Sequence, residues 1–114
     1  MKINIILTKN EVASLDALID INISFGLDKS FFITGDQDFL DEHRHIVQNR
    51  FQRNGIVNWY PEGRGKVKFK FTELGLGLIK KYKPDVFKEL KQFLPFSYPP
   101  ISPEHLPVVN FEIN

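Results

Sequence analysis

The 114-residue chain contains no cysteine and no long hydrophobic run. The lack of cysteine excludes a disulfide framework, cysteine-based zinc sites and a thiol nucleophile, and it fits a reducing compartment. No apolar run approaches the roughly 18–20 residues that a membrane helix needs. The first residues also lack the apolar region and cleavage site of a signal peptide. We therefore expect a cytoplasmic protein without a membrane partner.

The sequence also lacks the motifs that carry catalysis or hold a cofactor. Gly63-Arg64-Gly65 is not followed by the Lys-Ser/Thr pair of a phosphate-binding loop, and no serine stands in the context of a nucleophile. His43 and His45 are two positions apart, so a helix directs them to different faces, which disfavours a shared metal ion. We predict no enzyme activity, no cofactor and no metal site.

The small net charge of +1 conceals three unequal segments. Counting Lys and Arg against Asp and Glu, residues 1–49 carry −4, residues 50–83 carry +7 and residues 84–114 carry −2. Charge segregated in this way indicates a local surface for a partner better than the total does. The hydrophobic content of 42%, with eleven phenylalanines, is sufficient for the core of a single small domain.

The first third of the chain predicts a strand followed by a helix. Lys2–Leu7 alternates in part and favours a short strand. A capping box at Thr8-Lys9-Asn10-Glu11 then begins a helix, which Gly26 ends. The next segment, Leu27–Ile33, is compatible with one or two turns of helix or with an extended piece.

The middle of the chain predicts a helix and a hairpin. A helix over Asp36–Asn54 would bury a stripe formed by Leu40, Val47 and Phe51. Two strands follow, Ile56–Tyr60 and Lys66–Phe71, and we expect Pro61–Gly65 to form the tip between them. The second strand alternates strictly between lysine and apolar residues, which is typical of a strand with one buried face.

The last third predicts two short helices and an extended tail. Thr72 caps the first helix, and Lys83-Pro84 ends it. The second presents one apolar face, which belongs either to the core or to a dimer interface: Val86, Phe87, Leu90, Phe93 and Leu94. We place a domain boundary between residues 1–94 and a proline-rich tail, 95–114, without regular structure up to Pro107. Val109–Ile113 alternates and is expected to pair with the first strand, in the same or a neighbouring chain.

The stretch RFQRNGIVNWYPEGRGKVKFKFTELGLGLI, residues 50–79, resembles the helix–wing–helix signature of MarR-type and related winged-helix regulators. Phe51 and Gly55-Ile56-Val57 match the end of its recognition helix, and Phe71–Gly75 matches the turn into the following helix. The resemblance covers roughly residues 8–82. It implies an α+β, mainly helical fold: a winged helix-turn-helix with a two-stranded wing hairpin, a C-terminal helix and an extended tail.

The resemblance also implies a function in DNA binding. The recognition helix, 36–54, would lie in the major groove, and the basic wing, 56–71, would contact the flanking backbone. Side chains able to bond base edges point outward on the helical wheel: His45, Asn49, Gln52 and Arg53. Phosphate contacts fall to the basic residues of the wing: Arg64, Lys66, Lys68 and Lys70. A homodimeric transcriptional regulator that binds double-stranded DNA is the function implied.

Two features keep an alternative open. Lysines on the second wing strand are also typical of an edge strand that avoids edge-to-edge association. The helix begins with four carboxylates in DQDFLDEH, which favour the helix dipole but oppose phosphate. The alternative function is a winged-helix adaptor that binds protein and has no affinity for DNA. Trp59 and Tyr60 either stack on bases or complete the core.

Overall fold

The computed structural model describes residues 2–25, 30–32, 43, 45–63, 66–92, 94 and 102–114. In chain order the elements are β1 (Lys2–Leu7), α1 (Lys9–Phe25), β2 (Ser30–Phe32), the π-helical segment α2 (Ile46–Phe51), β3 (Val57–Gly63), β4 (Lys66–Phe71), α3 (Glu73–Tyr82), α4 (Pro84–Lys91), a 3₁₀ turn (Pro103–His105) and β5 (Val108–Ile113). The described part is α+β and mainly helical, as predicted.

The predicted capping box begins α1. The Thr8 backbone N–H donates to Glu11 Oε1 at 3.0 Å, and the Glu11 N–H donates to Thr8 Oγ1 at 3.2 Å. Two N–H groups that the first turn leaves without helical partners are therefore satisfied reciprocally. Helix α1 runs to Phe25, one residue before the glycine that was expected to end it.

A three-stranded antiparallel sheet has the order β2–β4–β3. The ambiguous segment 27–33 is extended where it is described, because Ser30–Phe32 pairs with Lys66–Lys68 of β4. The predicted tip, Pro61–Gly65, is wrong in its first part, since β3 continues through Gly63 with a register shift between Pro61 and Gly63. Proline is tolerated there because β3 is an edge strand of this sheet and needs no ladder N–H at that point.

A two-stranded parallel sheet joins the two ends of the described chain. Strands β1 and β5 pair in register from Lys2 opposite Val108 to Leu7 opposite Ile113. Asn110 Nδ2 donates to Asn4 Oδ1 at 3.0 Å across the pair. The predicted pairing is confirmed, and it occurs within one chain. Residues 102–107, expected to lack regular structure, include the 3₁₀ turn.

Helix α3 packs against both sheets through two glycines. A Cβ at Gly75 would lie 2.1 Å from the Ile56 carbonyl oxygen, and one at Gly77 would lie 2.6 Å from the Pro107 carbonyl oxygen. Ile56 immediately precedes β3, and Pro107 immediately precedes β5. Each glycine therefore lets the backbone that leads into one sheet approach the helix more closely than any other residue would allow.

One core cluster holds these elements together, with buried side chains contributed by α1, α2, α3 and α4 and by the strands. The apolar face of α4 belongs to it, since Phe87, Leu90 and Leu94 are all buried. These three residues therefore belong to the chain's own core, and Val86 of the same face is half-buried. The side chain of Phe93, predicted on the same face, lies outside the described residues.

Candidate nucleic-acid interface

The predicted recognition helix is described from His45 onward, together with His43. Ile46–Phe51 is π-helical, and His45 and Gln52–Arg53 extend it as helix on either side. A π-helix bonds i to i+5, so its turn is wider than the α-helical wheel assumed. Val47 and Phe51 are nevertheless fully buried, as predicted. Residues 36–42 and 44, which include Leu40 and the four carboxylates, lie outside the described residues.

All four side chains predicted to read bases are exposed: His45, Asn49, Gln52 and Arg53. Arg50 is exposed as well. Arg50 was not among the side chains that the helical wheel directed outward. Helix α2 with its flanks thus presents two guanidinium groups and three further polar side chains to solvent.

Two of these side chains are hydrogen-bonded to each other. Asn49 Nδ2 lies 2.9 Å from His45 Nδ1, a hydrogen bond between residues four apart on the helix. Bidentate reading of adenine uses both the oxygen and the nitrogen of an asparagine amide. Asn49 must therefore release His45 before it can contact a base in that way, whereas Gln52 and Arg53 show no such contact among the described residues.

His43, which precedes α2 in the chain, contacts a buried hydroxyl group of α1. His43 Nδ1 lies 2.9 Å from Ser14 Oγ, and the Ser14 hydroxyl also lies 3.3 Å from the Asn10 carbonyl oxygen. Ser14 is fully buried, so this polar group has partners where an unpaired one would be costly. His43 faces inward as predicted and serves to position the helix.

The helix ends in a Schellman motif at Gly55. The Ile56 N–H donates to the Phe51 carbonyl at 2.8 Å, and the Gly55 N–H donates to the Gln52 carbonyl at 3.2 Å. Gly55 has φ +76°, the left-handed conformation that glycine adopts without cost. The chain therefore turns out of the helix and into β3 within two residues, which fixes the hairpin relative to the helix.

Thr72 ties the far end of the hairpin to the same place. Its hydroxyl accepts from the Gly75 N–H at 3.0 Å, which caps α3, and lies within hydrogen-bond reach of the Gly55 and Ile56 carbonyl oxygens. The Thr72 N–H donates to the Ile56 carbonyl at 3.0 Å. Helix α2, the hairpin and α3 consequently meet at one junction, formed by Gly55, Ile56, Thr72 and Gly75.

The lysine strand lies in the middle of its sheet. Lys66 and Lys68 pair through the backbone with β3 on one side and with β2 on the other. Edge protection therefore does not explain these two lysines, because β4 is not an edge where they lie. Lys70 pairs with Asn58 of β3 and is half-buried. Arg64 lies outside the described residues, as do the side chains of Lys66, Lys68, Trp59 and Tyr60.

A charged cluster lies outside this interface, between α1 and the end of α3. Lys83 Nζ is 2.9 Å from Asp16 Oδ1, and the Tyr82 hydroxyl donates to Asp16 Oδ2 at 3.2 Å. The hydrogen bond to Asp16 raises the pKa of Lys83, and burial, followed by the bond to Asp16, raises the pKa of Tyr82. The cluster joins two helices and contains no residue predicted to bind DNA.

Among the described residues, no group of three or more histidine, aspartate or glutamate side chains is arranged to hold a metal ion. Within the same part of the chain, no helix is both long and apolar enough to cross a bilayer. Comparison with protein-family models, with curated proteins and with solved structures gives no match.

Proposed function

We propose that this chain is a winged-helix protein that binds double-stranded DNA through α2 and the β3–β4 hairpin and regulates transcription as a homodimer. The observation that carries the proposal is the central position of β4. Lys66, Lys68 and Lys70 occupy alternate positions of a strand that is paired on both sides over Lys66–Lys68. Since edge protection does not account for Lys66 and Lys68, a polyanionic partner is the better physical explanation.

The junction supports a single binding surface made from the helix and the hairpin. The turn at Gly55 and Ile56 leads from the helix into β3, and Thr72, the residue after β4, is hydrogen-bonded to the Ile56 carbonyl oxygen. Exposed Arg53 lies two residues before that glycine. In this proposal His45, Asn49, Gln52 and Arg53 contact bases, and Arg64, Lys66, Lys68 and Lys70 contact phosphates.

A second candidate function is a winged-helix adaptor that binds protein and not DNA. The exposed aliphatic side chains on the β1–β5 sheet favour it, with Ile6 60% and Val108 58% exposed. They lie on a different element from α2 and the hairpin. The two functions are therefore separable by variants on the two surfaces.

The first experiment measures fluorescence-anisotropy binding of the purified protein to mixed-sequence duplex DNA across a range of salt. We expect affinity to fall steeply with salt, because displaced counterions accompany each phosphate contact. Lys68→Glu should weaken binding to all sequences and lower the salt slope by about 1. Lys9→Glu, at an exposed position on α1, is the control of equal charge change.

Sedimentation velocity on the same preparations reports whether the binding unit is a dimer. Unchanged affinity in Lys68→Glu would show that the wing does not contact DNA. Absence of binding at low salt, with the protein folded, would exclude the DNA function and leave the adaptor.

A further inference from the structure

A lysine-bordered channel runs along α3 on surfaces that the DNA proposal does not use. Three adjoining concavities of about 290, 220 and 370 Å³ make up this channel. Lys80 lines the first and the second, and Lys81 lines the second and the third. The shared lysines place the three concavities side by side, from α4 past the segment before β5 to the β1–β5 sheet.

The channel is positive overall. Four exposed lysines line it, Lys80 and Lys81 from α3 and Lys88 and Lys91 from α4, against two glutamates. Among the described residues, none of the four lysines forms an ion pair. Lys80 Nζ instead lies 5.8 Å from the centroid of the Phe87 ring, which helps to hold it over the first concavity. One of the glutamates, Glu104, accepts a hydrogen bond from Ser102 at 2.8 Å.

The same channel exposes aliphatic side chains. Val108 lines the second concavity and Ile6 the third, and they are among the most exposed large hydrophobic residues of the described chain. Pro84 and Pro103 line the first concavity together with Phe87. Apolar surface of this kind stays in contact with water unless a partner with apolar groups covers it.

We propose that this channel binds an acidic, partly apolar segment of a partner protein. Carboxylates of the segment pair with the channel lysines, and its apolar side chains cover Val108 and Ile6. A nucleic-acid backbone fits less well, because it would satisfy the lysines and leave these two side chains in water. The proposal does not depend on DNA binding, since none of the channel residues lies on α2 or on the β3–β4 hairpin.

The test is selection from a displayed library of short peptides whose positions are drawn from Asp, Glu, Leu, Phe and Ser, against the full chain. We expect the enriched peptides to combine acidic with apolar residues. The double variant Lys80→Glu/Lys81→Glu should weaken their binding at least about tenfold, equivalent to about 1.4 kcal/mol. The matched control, Lys2→Glu/Lys9→Glu, makes the same charge change at exposed positions that do not line the channel and should leave binding unchanged.

A second pair of variants tests the apolar part. Val108→Ser should weaken the selected peptides severalfold, whereas Ile113→Ser should not. Ile113 is 52% exposed on the same strand and does not line the three concavities. The four residues changed to glutamate are exposed, and so are the two changed to serine. We therefore expect a thermal melt to show that each variant is folded.

Three outcomes would overturn the proposal. If the wild type enriches acidic peptides no more than the Lys80→Glu/Lys81→Glu variant does, the channel is not a peptide site. If wild type and Val108→Ser bind the selected peptides equally, and duplex DNA competes with those peptides, the channel is a surface for any polyanion. A wild-type dimer that Val108→Ser dissociates in sedimentation would make a second copy of this chain the occupant.

Discussion

The two sheets of this molecule differ in the direction of their paired strands and in how far apart those strands lie in the sequence. Strands β3 and β4 follow one another along the chain, and β2 joins them from the region just before α2. Strands β1 and β5 come from opposite ends of the described chain and run parallel. The pairing of β3 with β4 closes a short loop. The pairings of β2 with β4 and of β1 with β5 join segments that are far apart in the sequence, which costs more chain entropy.

Both sheets nevertheless depend on the same helix. Gly75 of α3 faces the backbone leading into β3, and Gly77 faces the backbone leading into β5. Val57 and Phe71 of the antiparallel sheet and Leu7 and Val109 of the parallel sheet are all buried in the one core cluster. We expect the contact at Gly75 to stabilise the fold more than the contact at Gly77, because the approach at Gly75 is closer. Variants that affect one contact at a time can test this.

The largest effect is expected from Gly75→Ala. The added Cβ would lie 2.1 Å from the Ile56 carbonyl oxygen, a backbone atom fixed by the α2 junction. We expect a loss of about 3 kcal/mol or more in the free energy of unfolding, well beyond the roughly 1 kcal/mol that alanine gains over glycine in a helix. Urea denaturation followed by circular dichroism measures this loss.

Gly77→Ala is the matched control on the same helix. Its Cβ would lie 2.6 Å from the Pro107 carbonyl oxygen, a less severe overlap than the one at Gly75. We expect a loss of about 1–3 kcal/mol, with faster amide exchange in β1 and β5 and unchanged exchange in β3 and β4. An equal loss of unfolding free energy in both variants, with faster amide exchange in both sheets, would contradict the distinction between the two contacts.

A smaller effect is expected from the two threonine caps. Thr72→Ala removes the cap of α3 and the contacts of its hydroxyl with the α2 junction. We expect a cost of about 2 kcal/mol, at the upper end for a cap. Thr8→Ala removes an exposed cap next to the parallel sheet and should cost about 1 kcal/mol. Thermal melts measure the stability of the two variants. A greater loss in Thr8→Ala than in Thr72→Ala would refute the central role of the junction between α2, the hairpin and α3.

The smallest effect concerns the Asp16 cluster and pH. Lys83 and Tyr82 have raised pKa values in the folded chain, above ordinary values of 10.5 and 10.0. Their contribution to stability is therefore complete below about pH 10 and is lost as the pH rises through the folded-state values. Asp16→Asn should flatten that alkaline decline and cost about 0.2–1 kcal/mol at neutral pH, as for exposed ion pairs.

Stability curves from neutral to alkaline pH provide the measurement. Glu89→Gln, an exposed carboxylate on α4, is the control and should leave the alkaline decline unchanged. An identical decline in wild type and Asp16→Asn would show that the cluster does not contribute.

Local signals in the sequence predicted the features that depend on near neighbours. Three kinds of feature involve residues within a few positions of one another. They are the capping box at Thr8 and the cap at Thr72, the buried pair Val47 and Phe51, and the glycine that follows the helix. The strand β2 was left open because three residues carry too little periodicity to separate strand from helix. The true extent of β3 was missed because proline and glycine were taken as turn residues, although an edge strand tolerates them.

The candidate interface was predictable in its residue types and less so in its geometry. Exposure of His45, Asn49, Gln52 and Arg53 follows from burial of the opposite side of the helix. The π-helical form of α2, the bond between His45 and Asn49 and the central place of β4 each depend on contacts that a helical wheel or a strand pattern does not contain.

The amino-acid sequence by itself determined where β1, α1, β4 and α3 begin, which faces are apolar and where positive charge collects, because these depend on neighbouring residues. Only the tertiary structure decided that β1 and β5 pair within one chain and in parallel, that the lysine strand is internal, and that α3 needs glycine at both Gly75 and Gly77. Those outcomes depend on which distant backbone segments approach each other, and that is set by the packing of the whole core.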